Sequence, residues 1–86
     1  MSNDLFMAAH RFVERHSRFA VAWYAVAVYY FLIENYSDAK RYFSKCVLMD
    51  PVFGEAWIGY GHTFMAVSKF DQAIEAYGSA SQKAQK

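Results

Sequence analysis

The sequence predicts an all-α chain of repeated helix–turn–helix units, and three observations carry that prediction. Trp57 follows Trp23 by 34 residues, and the stretch from Gly54 to Phe64 restates, with the same aromatic and small residues, the stretch from Ala20 to Tyr30. The same offset pairs Val26 with Tyr60, Ala27 with Gly61, Tyr30 with Phe64, Ala39 with Ala73, Phe43 with Tyr77 and Cys46 with Ala80. Each pair reads as one size class and is expected to fill equivalent space. Finally, Pro51 closes the first copy, where a residue with no amide hydrogen stops a helix.

A period near 34 with that order of Trp, small and aromatic positions resembles the tetratricopeptide (TPR) repeat. The resemblance implies a right-handed α-α superhelix of five helices. Residues 1–19 supply the second helix of a preceding repeat, and full repeats occupy 20–53 and 54–86. The positions that lock such repeats together are Trp23, Ala27, Tyr30, Ala39, Phe43, Cys46 and Pro51 in the first copy. In the second they are Trp57, Gly61, Phe64, Ala73, Tyr77 and Ala80.

Taken in order, the first helix starts at a cap on Asn3 or Asp4 and continues to about Arg15, with Leu5, Ala8, Ala9 and Phe12 at three- and four-residue steps. The chain thus reads as beginning in mid-repeat. His16-Ser17-Arg18 is a turn, with Ser17 in the slot that Pro51 holds later. From Val21 to about Glu34, Trp23, Val26, Ala27 and Tyr30 make one apolar stripe, and Ala27 is small so that two backbones can approach. Glu34 or Asn35 marks the next turn, and Asp38 puts negative charge near a new helix start. That helix reaches about Met49 with Ala39, Phe43 and Cys46 inward, while Asp38, Lys40, Arg41, Ser44 and Lys45 form a solvated outer face. The second repeat opens near Gly54 and its first helix ends near Val67. Ser68 with Asp71 reads as a capping box. The last helix carries Ala73, Tyr77 and Ala80 to about Lys83, with Gln72, Glu75, Ser79 and Gln82 outward. Gln85 takes the closing-proline slot with no polar capping helix beyond it, so a longer native protein is expected, and self-association or helix exchange of the isolated piece.

Composition narrows the function. The chain has 86 residues and a net charge of +1, with no basic stripe interleaved with exposed aromatics, so neither nucleic acid nor an anionic membrane is an expected partner. The run from Phe19 to Ile33 holds only apolar residues and tyrosines, but it is shorter than the ~20 residues a bilayer core requires. No leader sequence is read at the start. The lone Cys46 sits where the repeat wants a small buried residue and reads as a packed thiol. His10 and His16 are six apart, off any shared helical face, and no metal-ligand spacing is present. No phosphate loop, nucleophile triad or carboxylate pair appears, so neither catalysis nor a cofactor is expected. A Cys46–His62 dyad would need a core-facing and a groove-facing side chain to meet.

What remains is apolar surface. A chain 56% hydrophobic and 20% aromatic has more of it than two repeats consume, and the surplus needs a partner. The TPR likeness places the first helix of each repeat along a concave groove. The groove-facing residues are then Val21, Tyr24, Ala25, Val28, Phe31 and Leu32, followed by Glu55, Ile58, Gly59, His62, Met65 and Ala66. Such a lining suits an extended or helical segment with apolar anchors, with His62 able to bond a partner backbone. Co-chaperone TPR domains grip a terminal carboxylate with Lys, Asn and Arg on these slots, and Tyr24, Ala25, Val28 and Leu32 stand there instead. The alternative is a spacer or adaptor in some other complex, whose apolar face packs on a superhelix wall or a second subunit.

The wording inside the repeats is more particular. Ala22-Trp23-Tyr24-Ala25-Val26, Tyr29-Tyr30, Ala39-Lys40-Arg41-Tyr42-Phe43-Ser44-Lys45, Asp50-Pro51, Ala56 through Phe64 and Asp71-Gln72-Ala73-Ile74 resemble the C-terminal TPR region of the cell division cycle protein sixteen class of anaphase-promoting complex (cyclosome) subunits. That likeness implies a scaffold in a ubiquitin ligase of the nucleus and cytoplasm, acting at mitosis. It also implies homodimers through N-terminal repeats, neighbouring TPR subunits, and a small accessory subunit whose N-terminal segment lies inside the C-terminal superhelix. Ala27 in place of Gly and Ser17 in place of Pro are the departures from the pattern.

Overall fold

The computed structural model describes residues 3–84, with side chains over 7–82. Helices α1 (Asn3–Arg15), α2 (Ala20–Leu32), α3 (Tyr36–Met49), α4 (Gly54–Ala66) and α5 (Phe70–Ala84) follow one another, with no strand among the described residues. Connections of four, three, four and three residues alternate with the repeat. Each helix packs on its neighbours in sequence, giving a slab of 37 × 28 × 13 Å.

Both three-residue turns are made alike. Glu34 and Ser68, 34 residues apart, hold φ of 64° and 63°, a left-handed geometry at a helix end. Asn35 N–H then reaches Tyr30 O and Lys69 N–H reaches Phe64 O, each at 2.9 Å, which satisfies carbonyls the helix leaves open. Ser68 therefore ends α4 and does not cap α5, which begins two residues later; the capping box is corrected on that point. At α3 the cap is Asn35, whose side chain accepts from Asp38 N–H at 3.3 Å and donates to the Asp38 carboxylate at 3.0 Å. Asp38 in turn pairs with Arg41 at 3.0 Å, so these two charges are engaged and not merely solvated. The four-residue turns share a second device. Trp23 donates its indole N–H to Ser17 O and Trp57 to Pro51 O, both at 2.7 Å.

The core forms as three clusters along the slab. Val13, Ala22, Val26, Ala27, Tyr30, Ala39, Tyr42 and Phe43 join α1 to α3; Cys46, Val47 and Ala56 join α3 to α4; Phe64, Ala73 and Ala76 join α4 to α5. Small residues sit where backbones meet bulky rings: a Cβ on Gly61 would lie 2.5 Å from the Tyr77 ring. Thr63, fully buried, satisfies its hydroxyl by donating to Gly59 O at 2.8 Å.

Several packing expectations need revision. Among the described side chains of α1, Val13 is buried with Ala9 half-buried beside it, whereas Phe12 is 42% exposed; Leu5 lies outside the described side chains. The Asn3 or Asp4 cap and Gln85 likewise lie outside them, although α1 already includes both Asn3 and Asp4. Trp23, Trp57 and Tyr77 do pack against the core clusters, each half-buried, whereas Pro51 is exposed, its carbonyl being the part that binds Trp57. The pair Val26 and Tyr60 does not fill equivalent space: Val26 is enclosed, and Tyr60 is half-buried. Tyr42 and Val47, unassigned from the sequence, are core residues.

Candidate binding cleft

A cleft of about 300 Å³ opens between α2 and α4. Tyr24, Val28 and Phe31 reach it from α2 at four- and three-residue steps, so successive turns present one face. Glu55, Ile58, Gly59 and His62 reach it from α4 at three, one and three. Phe43 of α3 completes the wall, and Gly59 admits it: a Cβ there would lie 2.5 Å from the Phe43 ring.

The rings are fixed by one another. Tyr24 meets Phe43 edge-on at 6.0 Å and Phe53 at 5.0 Å, and Phe31 meets Tyr36 at 5.4 Å. At the far end His62 Nδ1 bonds the Tyr77 hydroxyl at 2.6 Å, which holds the imidazole on the cleft rim. Glu55 contributes the one carboxylate of the lining. An apolar wall with a carboxylate and an imidazole two helical turns apart suits capture of a side chain from another molecule.

Of the groove residues expected from the sequence, the fold brings together Tyr24, Val28, Phe31, Glu55, Ile58, Gly59 and His62. Val21, Leu32 and Met65 are exposed on the same helices but do not line the cleft, and neither do Ala25 and Ala66. Phe43 was assigned to repeat packing alone; it does both, being 2% exposed with its ring at the cleft wall. Helical spacing could not signal it, because it comes from a different helix.

Other chemistry is laid out elsewhere. Cys46 is enclosed, its thiol donates to Ala20 O at 3.3 Å, and burial, with Asp50 nearby, pushes its pKa up to about 11. Such a thiol stays protonated and unreactive. His10 bonds the Tyr30 hydroxyl, and burial, followed by the nearby Tyr42, raises the Tyr30 pKa. Among the described residues no group of three His, Cys, Asp or Glu side chains could hold a metal ion, and no helix is long and apolar enough to cross a membrane.

Comparison with known proteins places this geometry. A tetratricopeptide repeat model matches residues 20–53. The anaphase-promoting complex subunit cut9 of Schizosaccharomyces pombe is 47% identical over 91% of this chain and 12% of its own length. The subunit CDC16 of Saccharomyces cerevisiae is 40% identical over 92% of this chain and 9% of its own. A crystal structure of the Cut9–Hcn1 hetero-tetramer of the anaphase-promoting complex aligns with a TM-score of 0.83 at 47% identity, over 92% of this chain and 15% of that one. This chain therefore spans a small fraction of the relatives it matches. With its all-helical repeats and that identity, it is a tetratricopeptide-repeat protein resembling the cell division cycle protein 16 type of anaphase-promoting complex subunit.

Proposed function

We propose that the chain serves as a non-catalytic interaction scaffold in an anaphase-promoting complex and that its cleft clasps an apolar segment of a smaller accessory subunit. The observation carrying this is the concave, aromatic-walled cleft between α2 and α4, with its single carboxylate and its imidazole at the rim. The relatives support the setting, being anaphase-promoting complex subunits, one of them crystallised with Hcn1. In this reading the repeat units are 1–19, 20–53 and 54–86, the partners are other protein subunits, and the complex is intracellular and largely nuclear.

The second reading is a spacer whose apolar faces are covered by neighbouring TPR subunits. Leu32, Leu48 and Ile74, each at least 67% exposed and away from the cleft, favour some such cover. The two separate in one experiment on the full-length protein. Phe31→Glu puts a charge in the cleft wall, and co-purification of the accessory subunit is expected to fall at least tenfold, about 1.4 kcal/mol, while far-ultraviolet circular dichroism stays helical. Undiminished co-purification with intact helicity would defeat the cleft reading.

A further inference from the structure

The repeat contains its own template for a second site. In the first repeat the Tyr42 ring lies stacked between Trp23 (5.5 Å, 27°) and Tyr30 (5.4 Å, 22°), and Lys45 Nζ stands 5.3 Å over the Trp23 ring. Arg41 covers the Tyr42 ring at 5.1 Å. A shift of 34 turns Trp23 into Trp57 and Tyr30 into Phe64, but Tyr42 into Ala76, Lys45 into Ser79 and Arg41 into Glu75. The aromatic walls stay, while the plate between them and both cations above are gone. His10, which meets Tyr30 and Tyr42 from α1, becomes Ser44, so the preceding helix does not fill the space either.

The result is a cavity of about 320 Å³ floored by Trp57, Tyr60 and Phe64 and rimmed by Gln72, Glu75 and Ala76. Tyr60, larger than the Val26 it replaces, leans to within 4.7 Å of Phe64 and occupies part of the gap without closing it. The cavity shares no residue with the α2–α4 cleft. Glu75 is its one charged group, exposed and in no ion pair among the described residues.

We propose that this socket receives an arginine side chain from a protein partner. The first repeat defines what is missing: a flat group against the tryptophan and a positive charge above it. A guanidinium supplies both, since it is planar, stacks on aromatic faces and carries a fixed charge that a carboxylate can pair with in fork geometry. An ammonium lacks the plane, and a neutral aromatic ring lacks the charge that Glu75 asks for.

The test uses the ¹⁵N-labelled chain and capped pentapeptides of sequence Gly-Ser-Xaa-Ser-Gly, with Arg, Lys, Tyr or Leu at Xaa. The two indole N–H signals report separately, Trp57 on the socket and Trp23 as internal control. The Arg peptide is expected to move the Trp57 signal with millimolar affinity, about fivefold tighter than the Lys, Tyr or Leu peptides, and to leave Trp23 in place. Glu75→Gln should weaken it about fivefold, the scale of an exposed ion pair. Ala76→Tyr, which restores the template residue, should abolish it. Equal binding of Leu or Tyr, movement centred on Trp23, indifference to Glu75→Gln, no movement of Trp57, or a Trp57 shift driven by protein concentration alone would each overturn the proposal. Should Ala76→Tyr unfold the chain, Glu75→Gln still decides.

Discussion

Trp23 and Trp57, one repeat apart, each donate their indole N–H to the carbonyl of the residue six positions upstream, both at 2.7 Å. The bond is equivalent, but the company is not: Trp23 also carries Tyr42 and Lys45 on its ring, and Trp57 carries neither. Trp→Phe at either site deletes a hydrogen bond of about 1 kcal/mol. Trp23→Phe should cost about 1 kcal/mol more than Trp57→Phe, because it also weakens a stack and a cation contact. Urea unfolding of the two variants gives the comparison, and equal costs would contradict it.

The left-handed turn residues give a prediction of opposite sign. A side chain at φ 63° is strained, and Ser68→Gly relieves a penalty of roughly 1 kcal/mol. Thermal unfolding should shift upward by about 4 °C or more for a domain of this size. Ser68→Val should shift it downward.

Glycine to alanine should sort by what the new Cβ meets. Gly78 lies inside α5 with nothing within 4 Å of that position, so Gly78→Ala is expected to stabilise by about 0.5–1 kcal/mol. Gly61→Ala drives a methyl to 2.5 Å from the Tyr77 ring and should cost about 1–3 kcal/mol. Gly59→Ala presses on Phe43 in the same way and should narrow the cleft as well. Chemical denaturation ranks all three.

Cys46 predicts a pH dependence. Burial pushes its pKa up to about 11 from the ordinary 9.0, so the folded state holds the proton more tightly than the unfolded chain. The stabilisation is complete below pH 9 and is lost as pH rises from there through about 11. Stability curves of the wild type and Cys46→Ala should converge over that window, alanine being the residue at the matching position 80. Parallel curves would show that the thiol is not the titrating group.

The repeat was legible because its marks are residue types at a fixed offset. Trp23 and Trp57, Ala39 and Ala73, and the stop at Pro51 fixed helix order to within about two residues, the usual uncertainty at helix ends. Cleft residues on α2 and α4 were legible for the same reason, since a helix repeats its faces. Phe43 at the cleft wall was not, because its placement depends on Gly59 letting a neighbouring helix close in. Ser68 misled: a serine followed by an aspartate three residues on looks like a helix start. The backbone needed a left-handed residue there, and serine supplied it. The cavity over Trp57 carried no repeat mark, because Tyr42 and Ala76 share the offset but differ in size, and only matched residues signal a repeat.

The tie from each tryptophan to the turn before it decides where the chain can bend. Residues 16–19 and 50–53 are fastened to the helices that follow them, so each turn travels with α2 or α4 as one stiff body. At the seam between the repeats, Cys46, Val47 and Ala56 pack with the rings of Trp23, Tyr24, Phe53, Trp57 and Tyr60, so both tied tryptophans also hold α3 to α4. One indole–carbonyl bond per repeat thus fastens a turn and braces a seam at once, so each repeat brings its own joint with it.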